Sequence, residues 1–130
     1  MEVRMGLSRI VISETRDHQR IVLRERAGER QLPIVIGLSE ALAIDRRIKQ
    51  HRVQRPMTHD LLANVIDALS GELEKIVIND LKEHTFYAKL VVRIDGEIVE
   101  IDSRPSDAIA LGVATDVPIY VEDHVLRDAV

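Results

Sequence analysis

Residues 10–18 read IVISETRDH and residues 76–84 read IVINDLKEH. Four of the nine positions are identical, and all but one of the others exchange like for like. The offset of 66 residues recurs almost unchanged downstream, where SEALAI at 39–44 matches SDAIAL at 106–111 with an offset of 67. Gly28-Glu29 and Gly96-Glu97 fall between these anchors, each at a turn between β-like runs. Three ordered matches at offsets of 66 to 68 read as an internal repeat, with halves 1–70 and 71–130, and residues 8–60 are expected to superpose on 74–125.

Each half opens with short or alternating apolar runs: 9–13, 20–25 and 31–36, then 75–80, 86–94 and 97–101. These predict strands, with Asp95-Gly96 as a two-residue hairpin turn. Leu38, Ala41, Leu42, Ile44 and Ile48 then fit one helix face. Leu61, Leu62, Val65, Ile66 and Leu69 form a second stripe, stopped by Gly71. The second half departs after Leu111, where 117–121 reads as a short extra strand before a final helical turn. The fold class expected is therefore α+β: a duplicated β3α2 unit whose mixed or antiparallel sheet carries helices packed on it. A length of 130 residues suits one such domain.

Composition removes several chemistries. There is no cysteine, so disulfides, thiolate metal sites and a thiol nucleophile are excluded. Aromatic residues make up 2% of the chain, which leaves almost no surface for stacking bases, and the net charge of −4 means that any phosphate contact needs a local basic patch. No apolar stretch reaches the length of a signal peptide or membrane span, so a cytoplasmic protein without membrane attachment is expected. No zinc-finger spacing, Walker loop, nucleophile elbow or GxGxxG is present.

Two segments share a grammar of Arg-Pro, a hydroxyl, and an acid at a helix start. In IDSRPSDAIAL (101–111) Arg104 is expected as N-cap, Pro105 as N1 and Asp107 as N3. The plain structural account is that Asp107 favours the positive helix end, as Glu40 would at the matching place in the first half. The functional account makes Asp102, Arg104 and Asp107 a polar mouth for a phosphate or a cation. In RPMTHDLL (55–62) Thr58 is expected as N-cap with Asp60 at N2, and His59 sits in the first turn, where the dipole favours a neutral imidazole able to act as a base or ligand. Arg46, Arg47, Lys49, His51, Arg52 and Arg55 form the one concentrated basic stretch, read either as a solvated helix face or as a phosphate-binding surface. His18 and His84 read as structural turn residues.

These two segments, with LPIVIGLSEALAI (32–44), resemble the bifunctional nuclease domain family, and the resemblance spans nearly the whole chain. It implies cleavage of both DNA and RNA and association as a homodimer, with nucleic acid met through its backbone phosphates. It also gives candidate site residues: Arg55, His59 and Asp60 from one motif, Asp102, Arg104 and Asp107 from the other.

Two functions follow. One is a metal-assisted phosphodiesterase in which Asp102 and Asp107, with Asp60, hold a divalent cation such as Mg or Mn. Arg55 and Arg104, with Arg46, Arg47 and Arg52, would neutralise phosphate, and His59 would move a proton. The other is a non-catalytic homodimeric binding or regulatory module in which the same residues are caps and interface contacts. If there is chemistry, the two Arg-Pro segments, 55–60 and 104–107, are expected to line one cleft, either within a subunit or across the dimer, with His59 partly exposed.

Overall fold

The Asp-Gly dipeptide does what its chemistry predicts: Asp95 and Gly96 take φ of 51° and 78°, closing a two-residue hairpin between Ile94 and Glu97. Glu83 and His84 close the equivalent turn between Lys82 and Thr85 with φ of 49° and 66°, so His84 is a turn residue as expected.

The computed structural model describes residues 1–13, 15, 17–50 and 53–129. Strands β1 (Glu2–Val11), β2 (Gln19–Glu25) and β3 (Gln31–Ile36) form an antiparallel meander, followed by helices α1 (Leu38–Lys49) and α2 (Thr58–Ala68). A second meander comprises β4 (Glu72–Lys82), β5 (Thr85–Ile94) and β6 (Glu97–Ser103), and leads into α3 (Pro105–Gly112). A 3₁₀ turn, β7 (Ile119–Glu122) and α4 (Asp123–Asp128) complete the chain. The two meanders meet on β7, which runs antiparallel to β1 and parallel to β4. The result is one mixed seven-stranded sheet in the order β3-β2-β1-β7-β4-β5-β6, with the helices packed on it, an α+β fold.

The halves share the order strand-strand-strand-helix, and 39–44 and 106–111 both fall in the helix after the third strand. β1 ends at Val11 while β4 continues to Lys82, so among the described residues 10–18 and 76–84 match in strand only at their first two positions. They part after α3: in place of a counterpart to α2 the chain inserts β7, so the expected second β3α2 unit is not formed as such. β1 also begins well before residue 9, because the opening EVRM segment pairs with β7 at the centre of the sheet.

One core joins the sheet to the helices, and it contains Met5, Ile21, Leu23, Ile34, Ile76, Ile78, Leu90 and Val121 from the strands. Among helical residues it takes Ala41 and Ile44 of α1, Ala108 to Leu111 of α3, and Val125 and Leu126 of α4. Small residues let α3 sink between α1 and the sheet. At Gly112 an added Cβ would come within 2.5 Å of Ile76 Cδ1, so glycine permits this close approach.

The helix faces differ from those expected. α1 is rotated so that Ala41, Ile44 and Arg47 point inward while Leu38, Leu42 and Ile48 are exposed. α2 touches the core only through Ala63 and Ile66, leaving Leu61, Leu62, Val65 and Leu69 outside. The expected α2 stripe is real, but most of it faces away from this chain's core.

Candidate functional site

Every residue of α3 is buried except Asp107, which stands at N3 where Arg104 is the N-cap and Pro105 is N1, as the sequence predicts. Asp107 makes no cap bond to its own helix. Its carboxylate accepts from Arg104 Nε at 2.8 Å and Nη2 at 3.3 Å, and from His59 Nε2 at 3.0 Å. Burial, the largest single influence, pushes the Asp107 carboxyl upward, but the Arg104 guanidinium and His59 together outweigh it, so Asp107 is held below the usual carboxylate range. An ionised carboxylate can only accept, so Nε2 of His59 carries the proton and Nδ1 is left as the basic nitrogen.

Arg104 also donates through Nη1 to Glu40 at 3.3 Å. Glu40 is N3 of α1 and the repeat counterpart of Asp107, so one guanidinium lies between two matched helix-start acids. The sequence repeat placed Glu40 at that position but gave no sign that both acids meet one Arg. Around them lies an open groove of about 480 Å³, walled by Ser39 and Glu40 of α1, Thr58 and His59 of α2, and Arg104 with Asp107. Three helix N-termini therefore converge on one groove, an arrangement that favours an anion. His59 is 14% exposed and forms part of the wall.

The two Arg-Pro segments are thus joined through His59 and Asp107, but not all candidate residues come with them. α2 starts one residue earlier than expected: Met57 is the N-cap, Thr58 is N1 and Asp60 is N3, accepting from Met57 N–H at 2.9 Å. From N3 the Asp60 carboxylate is paired with Arg46 at 3.3 Å and with Arg47. Arg55 is exposed, makes no ion pair among the described residues, and is not part of the groove wall.

Asp102 is also separated from Asp107. It lies directly across from Lys89 on β5, and the neighbouring Ala88 belongs to the helix-side core, so Asp102 projects from the helix-free face of the sheet. The expected pair of cation ligands is therefore split between opposite faces. With the oxygens of Asp107 already committed to Arg104 and His59, the donors at the groove do not fit a bound divalent cation. Among the described residues no group of three His, Asp or Glu is placed to hold a metal ion.

Among the described residues the concentrated basic stretch does not form one continuous surface. Arg47 is 7% exposed and bonded to the carbonyls of Ala110 and Leu111 as well as to Asp60. Lys49 pairs with Asp45 at 3.0 Å, and Arg46 alone of this run reaches the groove wall. The remaining members, His51 and Arg52, lie outside the described residues. Among the described residues no helix is long and apolar enough to cross a membrane.

Asp60 makes a measurable prediction. The Met57 N–H holds its carboxyl below the ordinary value, burial opposes this, and Arg46 and Arg47 add to the lowering. A depressed carboxylate contributes stability that is present above the unfolded value of about 3.9 and is lost as pH falls through the lower folded value. Urea midpoints measured at neutral pH and again at about pH 3 should fall further for the unaltered protein than for Asp60→Asn. Equal falls in the two proteins would contradict this assignment.

Residues 21–130 match the model of a family described as Bifunctional nuclease domain. The chain is 41% identical over 128 residues to an "Uncharacterized protein" of Mycobacterium tuberculosis, covering 96% of this chain and 76% of that one. It is 31% identical over 114 residues to "Bifunctional nuclease 2" of Oryza sativa subsp. japonica, covering 85% of this chain and 35% of the rice protein. To "Bifunctional nuclease 1" of Arabidopsis thaliana it is 25% identical over 111 residues, covering 82% and 34%. It therefore spans about a third of the length of these plant proteins.

Proposed function

The chain belongs to the bifunctional nuclease domain family, and from that premise we propose that it cleaves phosphodiester bonds of DNA and RNA, without base recognition, at the groove where α1, α2 and α3 begin. The observation that carries this reading is the His59–Asp107 pair at 3.0 Å, in which an ionised acid orients an imidazole whose second nitrogen is left to take a proton.

In the proposed step a water oxygen forms the new bond to phosphorus while its proton passes to His59 Nδ1. The P–O bond opposite breaks, the displaced oxygen takes a proton from solvent water, and His59 returns its proton to solvent. Arg104, 63% exposed and with N–H groups to spare, neutralises the non-bridging oxygens together with Arg46, and the helix starts add their partial positive charge. Among the described residues no Phe, Tyr or Trp lines the groove, in keeping with contacts to phosphate rather than stacked bases.

The test is cleavage of supercoiled plasmid and of RNA by highly purified protein, with Asp107→Asn as the control against contaminating nuclease. Asp107→Asn should lose activity on both substrates. Asp102→Asn, on the other face of the sheet, should keep it. The reverse pattern would move the site to the helix-free face.

A homodimer forms part of the proposal. Leu61 and Val65 of α2 and Leu69 at its C-cap are 56%, 44% and 62% exposed and continue into Met57 and Leu42 at the groove, an apolar surface of the kind that marks an interface. Light scattering should give about twice the chain mass of 14.7 kDa, and Leu61→Glu with Val65→Glu should reduce it to the monomer value. A monomeric unaltered protein at micromolar concentration would rule this out.

A further inference from the structure

The helix-free face of the sheet divides into two electrostatically different regions. On the β4–β5–β6 side, cations and acids are matched: Lys75 with Glu2, Lys82 with Asp80, Lys89 with Glu100 and Arg93 with Glu74. On the β1–β2 side they are not. Gly6 lies across from Arg24, Arg9 from Val22 and Val11 from Arg20, while Leu7, Ile10, Ile21 and Leu23 take the opposite, helix-side face. Arg9, Arg20 and Arg24 therefore share the open face, and Arg4 joins them opposite Tyr120.

Arg26 completes the set. Its Nε would be 3.2 Å from a Cβ on Gly6, so its guanidinium lies over that glycine. All five arginines are exposed, and none forms an ion pair among the described residues. Val22, beneath them, is only 3% exposed although no helix covers it, which assigns its cover to the stems of the surrounding arginines. With about 3.3 Å per residue along a strand, the row from Arg20 through Arg24 to Arg4 extends for roughly 20 Å.

Like charges grouped in this way repel one another, and the protein as a whole is acidic, so the group is not a by-product of a basic composition. Asp116 shares the wall of a notch of about 310 Å³ beside Gly6 with Arg4 and Arg26, and Arg9, Arg20 and Arg24 lie outside that notch. Guanidinium forks match phosphate oxygens, and a row of them spaced along a strand matches the repeating charge of a phosphate backbone.

We propose that this arginine row is a second nucleic-acid contact, holding the phosphate backbone of the substrate on the sheet face opposite the groove. Naming nucleic acid as the polyanion rests on the nuclease reading, but the surface itself does not depend on which groove residue is catalytic.

The test is fluorescence anisotropy with a fluorescein-labelled oligothymidylate, read against salt concentration. Substitution to Gln removes charge while keeping the stems over Val22, and a thermal melt checks that the fold is retained. Arg9→Gln/Arg20→Gln/Arg24→Gln should weaken binding at least tenfold, and three lost contacts at about 0.7 each should flatten the slope of log K against log salt by about 2. The singles Arg20→Gln and Arg24→Gln should each flatten it by about 0.7. Hydrolysis of bis(p-nitrophenyl) phosphate, too small to reach the row from the groove, should be unchanged.

Unchanged affinity and slope in these variants would overturn the proposal, as would displacement of the oligonucleotide by polyglutamate at equal charge. Oligonucleotide binding that depends on the row, in a protein that cleaves nothing, would sink the nuclease reading alone. Cleavage by the unaltered protein with row variants that bind normally would sink the row alone.

Discussion

His59→Ala should lower the rate of plasmid and RNA cleavage by about 10²- to 10⁴-fold, the range supplied by a positioned acid–base group, while binding of an oligonucleotide stays within error. The split follows from where His59 sits. It reaches Asp107 but no other charged group, and the phosphate-facing cations, Arg104 and Arg46, keep their own partners when it is gone. Loss of one partly buried hydrogen bond should cost only about 1 kcal/mol, so unfolding cannot be the cause of the lost rate. Asp107→Asn should produce a comparable drop by another route. An amide can donate as well as accept, so it no longer forces the proton onto Nε2, and the imidazole is free to adopt the tautomer with Nδ1 protonated. If both variants cleave as fast as the unaltered protein, the chemistry is elsewhere in the molecule.

The parts of this molecule that were legible beforehand are those governed by local chemistry. Asp95-Gly96 dictates its turn, and Arg104-Pro105 dictates a helix start with Asp107 at N3, because both are decided by the dihedral preferences of two or three residues. The meeting of His59 with Asp107 was anticipated only as two similar segments lining one cleft, since the contact joins residues 48 apart in sequence. The cationic surfaces were hard to read for a different reason. A run of basic residues in sequence lies all round a helix, and α1 turns Arg47 inward. The cationic face of the sheet is instead assembled from alternate positions on β1 and β2 that are never adjacent in sequence. A signal was available in each case: Arg47 continues the three-residue spacing of Ala41 and Ile44, and Arg20, Val22 and Arg24 share one parity. The place of β7 could not have been read locally, because pairing with both β1 and β4 is a long-range choice.

Arg47→Met should destabilise the protein by about 3 kcal/mol, more than any groove substitution, because it strands several buried partners at once. Arg47 leaves the last turn of α1 and donates Nε to Ala110 O and Nη2 to Leu111 O at 3.1 Å. Those are among the final carbonyls of α3, which have no acceptor role within their own helix, so a side chain from α1 caps the C-terminal end of α3. The remaining nitrogen, Nη1, pairs with Asp60 at the start of α2. One side chain thus ties three helices together. Met fills much of the volume but satisfies neither carbonyl, and Asp60 retains only Arg46 and its own helix N–H. Arg47→Lys should recover only part of the loss, since a single ammonium cannot address three acceptors in a planar fork. Because Asp60 neighbours His59 on the first turn of α2, loosening this tie should also displace the imidazole, and the surviving folded Arg47→Met protein should cleave more slowly at equal substrate binding. Urea denaturation of both variants, paired with single-turnover cleavage at a temperature where each is folded, provides the measurement. A loss below about 1 kcal/mol for Arg47→Met, the worth of a single ordinary hydrogen bond, would show that the three contacts are not maintained in solution.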